Sequence, residues 1–422
     1  MTRQSFTTEN IKRSARNLNA AYGSHVVSNA AHELSKEIRE NNFEWGSVSK
    51  LYINKKTAYY LPALKDKLIL NRLADNLKFS YRIEAPNRIL IISQLMTLLK
   101  ENVPFTVLKF DVKSFFESID RSILFSELDY DLTLTTESRK LLYKLFDNPL
   151  MPSSGIPRGL PISTHLAELS IRAFDYAVKE LPTVYFYTRF VDDILVFVSS
   201  KPTETEREII KLSEAKRVPL HDKKRDSKTV ECTRKVDGVT PVNSECFPEC
   251  RCKIADGKEL TLTFLGYCFH FNSAPLYNVK PSKIPLEVSL AESKKIKLTK
   301  RLFASFANYI KNNDYALLKD RIRFLTGTYT VSRAADGSRL KAGNYFSYPE
   351  LTNLDALCVL DRMKAAILYG TQTRLSKKVN TMLSGARKRE LARISFARGF
   401  SARYHYNFSS KRIVEIRGCF ES

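Results

Sequence analysis

The sequence predicts an α+β fold, with a β-rich centre over residues 100–275 and a basic, helical arm on either side. Two observations indicate the centre: the β-prone run 105–111 follows a proline, and the runs 183–190 and 194–199 are joined by a turn short enough for a hairpin. A third observation indicates the arms, where apolar residues recur three and four positions apart among many charges. The strands are therefore expected to concentrate in the middle of the chain.

Helices are expected in the first hundred residues, and a strand then begins the centre. Apolar residues with helical spacing occupy residues 8–45 and parts of 61–99. The period changes at 105–111, a predicted buried strand that ends at an acid, and a loop after it leads into a helix that ends near residue 128. This change of period marks the start of the predicted sheet.

A turn bounded by two glycines, residues 155–159, is expected before the next helix. That helix begins near Pro161, because proline suits the first helical turn. One face of this helix is expected to carry five side chains: Leu166, Leu169, Ala173, Tyr176 and Ala177. Beyond the hairpin we expect an amphipathic helix over 201–217, a polar stretch over 230–258, a strand pair over 261–270 and basic helices after Pro281.

The charge of the chain favours a polyanionic partner. Its 422 residues include 68 Lys and Arg against 45 Asp and Glu, a formal net charge of +23. Such a surplus concentrates polyanions, of which nucleic acid is the usual one; a membrane surface and simple solubility are the alternatives. No apolar run is long enough to span a bilayer, and the start lacks the apolar core of a secretory signal. An intracellular protein that does not bind membranes is therefore expected.

The cysteines predict neither a disulfide framework nor a zinc site. Their number, 7, is odd, and an intracellular location disfavours disulfides. Cys246, Cys250 and Cys252, with Cys232 upstream, form the one cluster, whereas zinc sites usually show two paired knuckles. Unpaired thiols are the expected state.

Three carboxylates have the pattern of a metal-dependent phosphoryl-transfer site. Asp111 ends the first predicted strand of the centre, and Asp192 and Asp193 form the turn of the later hairpin. Neighbouring acids between apolar strands repel one another unless cations compensate, and two-metal phosphoryl transfer needs acids that bridge two divalent ions. Mg²⁺ fits best, because it prefers hard oxygen ligands together with substrate phosphates. A solvated turn is the alternative for Asp192 and Asp193 taken alone.

Five motifs then occur in the order and spacing of reverse transcriptases, which this chain resembles over about residues 105–270, with a weaker resemblance from about residue 60. They are Phe110-Asp111-Val-Lys-Ser-Phe-Phe116, Gly155-Ile-Pro-Arg-Gly159-Leu-Pro-Ile-Ser163, Phe190-Val-Asp-Asp193, Lys228-Thr229 and Phe264-Leu-Gly-Tyr267. The resemblance implies a right-hand fold with a ferredoxin-like palm. It divides the chain into N-terminal helices and fingers (1–100), a palm with a finger insertion (101–275) and a helical thumb with a C-terminal nucleic-acid-binding region (276–422).

The resemblance also implies the chemistry: RNA-directed DNA synthesis from dNTPs with two Mg²⁺ ions, for which Mn²⁺ is the substitute. The implied metal ligands are Asp111, Val112, Asp192 and Asp193, and the three acids are the implied catalytic residues.

Several residues are implied to bind the incoming nucleotide. Phe116 stands where the family has an aromatic steric gate that selects deoxyribose; a core phenylalanine beside Phe115 is the alternative. Gly159 lets the backbone approach the nucleotide. Arg158 departs from the usual glutamine, and it either touches template phosphate or the nucleotide, or braces its own loop through a carboxylate. The remaining candidates are cations, for which a solvated surface is the alternative: Lys78, Arg82, Arg88 and Lys228.

Leu265 and Gly266 resemble the primer-grip hairpin, with a plain strand turn as the alternative.

The C-terminal arm mixes arginines with aromatic residues, a pattern suited to phosphate neutralisation and base stacking. The alternative is that the aromatic rings of this arm belong to the protein core and that its cations are simply solvated. The residues concerned are Arg393, Phe396, Arg398, Phe400, Arg403, Tyr404, Tyr406 and Phe408. Residues 294–301 add a basic helix.

Among reverse transcriptases, the chain looks most like the bacterial defence-associated enzymes of the abortive-infection and unknown-group lineages. Five segments carry this likeness: 156–163, 167–169, 187–193, 323–327 and 395–399. The length and N-terminus suggest the shorter enzyme of the type 3 two-reverse-transcriptase system. This implies antiphage function in the bacterial cytoplasm, a dedicated noncoding RNA, and a second reverse transcriptase or a homo-oligomer as partner.

Alternative functions differ in class. A template-independent or protein-primed DNA polymerase belongs to the same family. An RNA-templated RNA polymerase shares the palm acids, but Phe116 argues against it because such enzymes need room for the 2′-hydroxyl. A non-enzymatic RNA-binding subunit is disfavoured because all three acids are intact.

Overall fold

The structure, a computed structural model, describes residues 3–53, 56–84, 86–101, 104–222, 225–230, 259–272, 285–333 and 339–420. Its fold is α+β, as predicted. The chain forms two compact units, one of Met1–Ile91 and Pro104–Glu249 and the other of Ile92–Val103 and Cys250–Ser422. No helix within the described ranges is long and apolar enough to cross a membrane.

The first unit begins with helices and a small hairpin. The elements are α1 (Thr8–Ser14), a 3₁₀ turn (Arg16–Leu18), α2 (Asn19–Tyr22), α3 (Ser24–Arg39), β1 (Ser49–Ile53), β2 (Lys56–Tyr60) and α4 (Leu64–Ser80). The next helix, α5 (Arg88–Leu98), has residues 88–91 in this unit and residues 92–98 in the second. The basic helix α4 does not expose all of its cations: Arg72 is buried and donates hydrogen bonds to the carbonyl oxygen of Arg3 and to Ser14 Oγ. Part of the positive charge of the chain therefore serves to hold the protein's own structure together.

A four-stranded antiparallel sheet forms the centre of this unit. Its elements are β3 (Phe105–Asp111), α6 (Arg121–Tyr130), α7 (Thr136–Phe146), α8 (Pro161–Lys179), β4 (Val184–Phe190), β5 (Asp193–Val198), α9 (Pro202–Ala215) and β6 (Asp226–Val230). The strand order is β4-β5-β3-β6. Strands and helices thus follow the split β-α-β order of a ferredoxin-like fold. Strand β3 lies centrally, which explains its almost continuous apolar sequence.

Two features of this region were not predicted. Of the residues expected on one face of α8, Leu166 is buried but Ala173 and Tyr176 are exposed, and the helix also buries Ile171 and Phe174. Strand β6 was missed because its sequence, Asp-Ser-Lys-Thr-Val, is polar. It pairs with β3 at one edge of the sheet, where polar side chains can remain in solvent.

The second unit combines small sheets with helices. Its elements are β7 (Glu259–Phe264), β8 (Tyr267–Asn272), β9 (Glu287–Leu290), α10 (Glu292–Asn312), α11 (Tyr315–Thr326), β10 (Thr328–Arg333), β11 (Arg339–Gly343), α12 (Asn344–Ser347), α13 (Asp355–Tyr369), α14 (Arg374–Met382), α15 (Gly385–Arg393), α16 (Phe396–Ser401), β12 (His405–Tyr406) and α17 (Ser410–Arg417). The strand pair β7–β8 was predicted, but β9 and the sheet of β10, β11 and β12 were not.

The C-terminal aromatics divide between core and surface. Phe396 and Phe400 are buried in the hydrophobic core of the second unit, so base stacking is excluded for these two rings. Tyr404 is 41% exposed. The cysteine cluster falls outside the described residues, and the described cysteines Cys268, Cys358 and Cys419 form no disulfide.

Candidate active site

Three carboxylates lie at one end of the four-stranded sheet. Asp111 ends β3, and Asp193 begins β5 directly opposite it. The Val112 amide donates to the carbonyl oxygen of Asp192 at 2.8 Å. Because that hydrogen bond joins the next pair of opposite residues, Asp111 and Asp193 form a non-hydrogen-bonded pair of the antiparallel ladder. Their side chains lie on the same face of the sheet, with Cβ atoms about 4.5–5.5 Å apart. Asp192 lies in the two-residue loop between β4 and β5, so the fold gathers the three predicted acids.

The donor set at this sheet end suits a hard cation. Asp111 is only 8% exposed, whereas Asp192 and Asp193 are partly exposed. Across the described ranges, no group of three His, Cys, Asp or Glu residues forms a ready metal site. Mg²⁺ does not require one, because it commonly takes one or two protein carboxylates and completes its shell with water and substrate phosphates. The carboxylates, with the neighbouring Val112 carbonyl, therefore fit Mg²⁺ that arrives with a nucleotide.

The hairpin that carries the acids has a strained tip. Val191 has φ of 59°, a left-handed conformation that β-branched residues rarely adopt. Such a residue costs about 1–3 kcal/mol and persists only where its surroundings hold it. Two hydrogen bonds to main-chain carbonyl oxygens do so: Val112 N–H donates to Asp192 O, and the side-chain Nη1 of Arg189 donates to Val191 O at 3.0 Å.

Arg189 is held in turn by two acids of α8. Its guanidinium donates to Glu168 at 2.6 and 3.1 Å and to Asp175 at 2.8, 3.0 and 3.2 Å, while Tyr187 Oη donates to Asp175 at 2.5 Å. Burial lowers the pKa of Arg189, but the hydrogen bonds to Asp175 and Glu168 outweigh that effect and raise it overall. The pKa of Tyr187 is raised, first by burial and then by the charge of Asp175. This network fixes the hairpin to α8.

Phe116 lies beneath an arginine. Its ring contacts Phe115 edge-on at 5.3 Å, and the Arg158 guanidinium carbon lies 4.8 Å from the Phe116 ring centre. Arg158 Nε and Nη2 donate to the two Glu117 oxygens at 2.6 and 2.9 Å. This hydrogen bonding to Arg158 is the main cause that lowers the pKa of Glu117. Of the two roles predicted for Arg158, bracing its loop through a carboxylate is the one seen in this structure. Phe115 is buried, whereas Phe116 is partly exposed.

The turn 155–159 requires its glycines. A Cβ at Gly155 would lie 2.7 Å from the Cα and O atoms of Glu117. Gly159 has φ of 99°, and a Cβ there would lie 2.6 Å from the Tyr59 carbonyl oxygen. Tyr59 N–H donates to Arg158 O at 2.6 Å. The turn is thus fixed between β2 and the segment that carries Phe116.

The predicted nucleotide-binding cations lie at different places. Lys78 is exposed in the last turn of α4, close enough to His165 on α8 to add to the lowering of the His165 pKa, which burial dominates. Arg82 is exposed after α4, and Arg88 begins α5. Lys228 lies on β6 opposite Val107, four residues before Asp111, so it is about 13 Å along the sheet from that acid. It forms an ion pair with Asp226 at 3.0 Å.

In the second unit, Leu265 and Gly266 form the tight turn between β7 and β8. Their φ values are 47° and 84°, the two positive values of a type I′ hairpin turn. The Gly266 carbonyl oxygen accepts from Ala291 N–H at 3.0 Å, and a Cβ on Gly266 would lie 2.9 Å from both Lys294 Cε and Tyr348 Cε1. The turn therefore packs against the start of α10.

A comparison with known protein families identifies the family of this chain. Residues 35–269 match the family described as reverse transcriptase (RNA-dependent DNA polymerase). The chain belongs to the reverse transcriptase family. Its α+β fold agrees with the polymerase fold of that family.

No curated protein matches this reverse transcriptase. Solved telomerase structures do. The telomerase of Candida albicans, in complex with a fragment of telomeric RNA, is 11% identical with a TM-score of 0.34, covering 83% of this chain and 53% of that one. The apo telomerase of Candida tropicalis is 11% identical with a TM-score of 0.35, covering 84% of this chain and 56% of that one. The reverse transcriptase spans about half the length of these telomerases.

Sequence reasoning missed the residues that support the acids of this reverse transcriptase. Glu168, Asp175 and Arg189 were assigned no role, although Glu168 lies in segment 167–169 and Arg189 in segment 187–193, both of which carry the family likeness. A buried strand that carries an arginine two residues before the turn was a usable signal, since a buried arginine needs acidic partners. The partner of Arg158, Glu117, was also missed, although it lies next to Phe116.

Proposed function

We propose that this reverse transcriptase synthesises DNA from dNTPs by two-metal phosphoryl transfer on an associated noncoding RNA, and that it serves antiphage defence in the bacterial cytoplasm. The observation that carries the chemistry is the register of Asp111 against Asp193, with Asp192 in the loop beside them. Three acids at one sheet end are costly unless cations compensate their charge.

Asp111, Asp192, Asp193 and the Val112 carbonyl would hold two Mg²⁺ ions, or Mn²⁺ in their place. Bound there, the ions would activate the primer 3′-hydroxyl and neutralise the pyrophosphate that leaves. The protein's own contribution is to fix the carboxylates in advance, because Arg189 and Val112 hold the hairpin tip. Preorganised charge of this kind is the main source of catalysis in phosphoryl transfer.

The incoming dNTP would lie between the acids and Phe116. The partly exposed ring of Phe116 serves as the gate against a 2′-hydroxyl, and Arg158 with Gly159 forms the adjoining wall. The triphosphate is assigned to cations of the fingers and sheet edge: Lys78, Arg82, Arg88 and Lys228. Leu265 and Gly266 would hold the primer end.

The defence role rests on the motifs of the bacterial abortive-infection and unknown-group enzymes. The net charge of +23 supports a stable RNA partner. A second reverse transcriptase or a further copy of this chain completes the proposed assembly. Template-independent or protein-primed synthesis is the alternative within the family, and an RNA-binding subunit without activity is the alternative outside it.

The test is dNTP incorporation on an RNA template with a DNA primer, using purified protein and Mg²⁺. The variant Asp192→Ala with Asp193→Ala should lose synthesis. A matched control removes two exposed acids from α9, Glu204→Ala with Glu208→Ala, and should retain it. Synthesis by the Asp192 and Asp193 variant would exclude the proposed chemistry, and equal phage plating on cells with either variant would exclude the defence role.

A further inference from the structure

Arg121, the first residue of α6, reaches across to the segment that leads into the turn 155–159. Its Nε donates to the Gly155 carbonyl oxygen at 3.2 Å, and its Nη2 donates to the same oxygen at 2.9 Å and to the Pro152 carbonyl oxygen at 2.5 Å. The guanidinium carbon lies 4.8 Å from the centre of the Phe146 ring. The guanidinium is therefore fixed in its plane by hydrogen bonds and on its face by an aromatic ring.

These contacts depend on the geometry of the Arg121 side chain more than on its charge. The side chain is partly buried, and its three hydrogen bonds end on main-chain carbonyl oxygens. The pKa of Arg121 is lowered, first by burial, while the charge of Asp147 opposes that effect. A lysine would supply the same charge, but it lacks the planar fork of donors that reaches two carbonyl oxygens at once.

The Gly155 carbonyl group belongs to the peptide unit that also holds Phe116. In that unit, Ile156 N–H donates to the Phe116 carbonyl oxygen at 2.7 Å. Because a peptide unit is planar and trans, its C=O and its N–H point in opposite directions and turn together. The hydrogen bonds from Arg121 to the C=O thus fix the direction of the N–H that holds the main chain at Phe116.

Gly155 does not fix this peptide unit by itself. Its φ is 70°, and a Cβ there would lie 2.7 Å from the Cα and O atoms of Glu117, so the position requires glycine. Glycine has the widest conformational range of any residue, so the orientation of the peptide that follows it depends on outside contacts. Arg121 supplies these contacts at one end of the turn, while Arg158 holds the other end through Glu117.

We propose that Arg121 is a positioning residue for sugar discrimination, which holds the main chain of Phe116 through the peptide unit between Gly155 and Ile156. The inference rests on the proposed function, in which the ring of Phe116 excludes a 2′-hydroxyl. Arg121 acts on the gate and not on the nucleotide. Its loss should therefore change the choice of sugar more than the rate of dNTP incorporation.

The test measures kcat and KM for a dNTP and for the matching rNTP on an RNA template with a DNA primer, using the full-length protein. Arg121→Met should lower the preference for dNTP by about fivefold, since small displacements of a positioned group have effects of this order or larger. The change should appear mainly as a lower KM for rNTP, with kcat for dNTP close to that of the wild type. Arg121→Lys should give a smaller shift in the same direction, and it carries the test if thermal unfolding shows that Arg121→Met does not fold.

Two further variants separate positioning from general loosening. Arg217→Met removes an arginine that pairs with Asp120 at the same end of α6, but whose side chain is 66% exposed. It should leave the preference for dNTP unchanged. Arg121→Met in the Phe116→Ala background should add no further shift, because the ring that Arg121 positions is already gone.

A wild-type preference for dNTP in the folded Arg121 variants would overturn the inference. So would an equal shift from Arg121→Met with and without the Phe116 ring, since Arg121 would then act independently of the gate. An unchanged preference in Phe116→Ala would instead refute the gate of the proposed function, and the inference with it.

Discussion

Arg189 Nη1 donates a hydrogen bond to the carbonyl oxygen of Val191 at 3.0 Å, and so connects the partly buried acids of α8 to the loop that carries Asp192. The side chain of Arg189 is 6% exposed, and those of Glu168 and Asp175 are 13% and 16% exposed. The strained φ of Val191 is thus maintained by an ion-pair network with little access to water. The position of the acids depends on residues that do not themselves contact substrate.

Arg189→Met should destabilise the protein and abolish synthesis. It would leave Glu168 and Asp175 buried without a cation, which typically costs about 3–5 kcal/mol. Urea unfolding and dNTP incorporation would measure the two effects. The control Arg207→Met, at an exposed position of α9, should change neither, and an Arg189 variant of unchanged stability would show that the network is not structural.

Phe116→Ala should raise ribonucleotide incorporation relative to deoxyribonucleotide incorporation by about tenfold or more, since it removes the ring proposed to exclude a 2′-hydroxyl. The ratio of kcat/KM for dNTP and rNTP measures this. Phe125→Ala, at a half-buried ring on α6, is the control for general loosening. An unchanged ratio in Phe116→Ala would remove the gate from the proposed mechanism.

Arg158→Gln should weaken sugar discrimination while dNTP incorporation continues. The guanidinium lies 4.8 Å from the Phe116 ring centre and is fixed by Glu117, so its loss frees the ring to move. Glu117→Gln should act in the same direction with a smaller effect, because the amide still accepts one hydrogen bond. A loss of all synthesis in Arg158→Gln would instead indicate direct contact with the nucleotide.

The stability contribution of Glu117 should depend on pH. Its pKa is lowered in the folded protein, chiefly by hydrogen bonding to Arg158. A group with a depressed folded pKa stabilises fully above its unfolded pKa, about 4.3 for Glu, and loses that contribution as pH falls through the folded value. The difference in unfolding free energy between wild type and Glu117→Gln should therefore be present at pH 7 and shrink below pH ~4.3. A difference independent of pH would contradict this account.

Gly159→Ala should reduce both stability and activity. Gly159 has φ of 99°, and a Cβ would lie 2.6 Å from the Tyr59 carbonyl oxygen. The strain should cost about 1–3 kcal/mol in thermal or urea unfolding. Gly385→Ala is the matched control: the nearest atom to its Cβ is Arg389 Nη1 at 3.6 Å, an ordinary contact, so its stability should be unchanged or slightly higher.

The sequence by itself determined the local elements of the centre. The strand 105–111 was predicted at the bounds that the structure gives, and the hairpin of β4 and β5 and the pair of β7 and β8 were also predicted. These succeed because apolar runs, proline and tight turns act through neighbours in the chain. The five motifs, in their order along the chain, indicated the family, because each motif is also a pattern of neighbouring residues.

Only the tertiary structure decided which side chains meet. The burial of Phe396 and Phe400, the face of α8, and the pairing of the polar strand β6 depend on surfaces supplied by distant elements. The ion pair of Arg158 with Glu117 joins residues 41 positions apart, and that of Arg189 with Glu168 joins residues 21 apart. Local propensity carries no information about such partners, because burial and charge compensation are properties of the packed molecule.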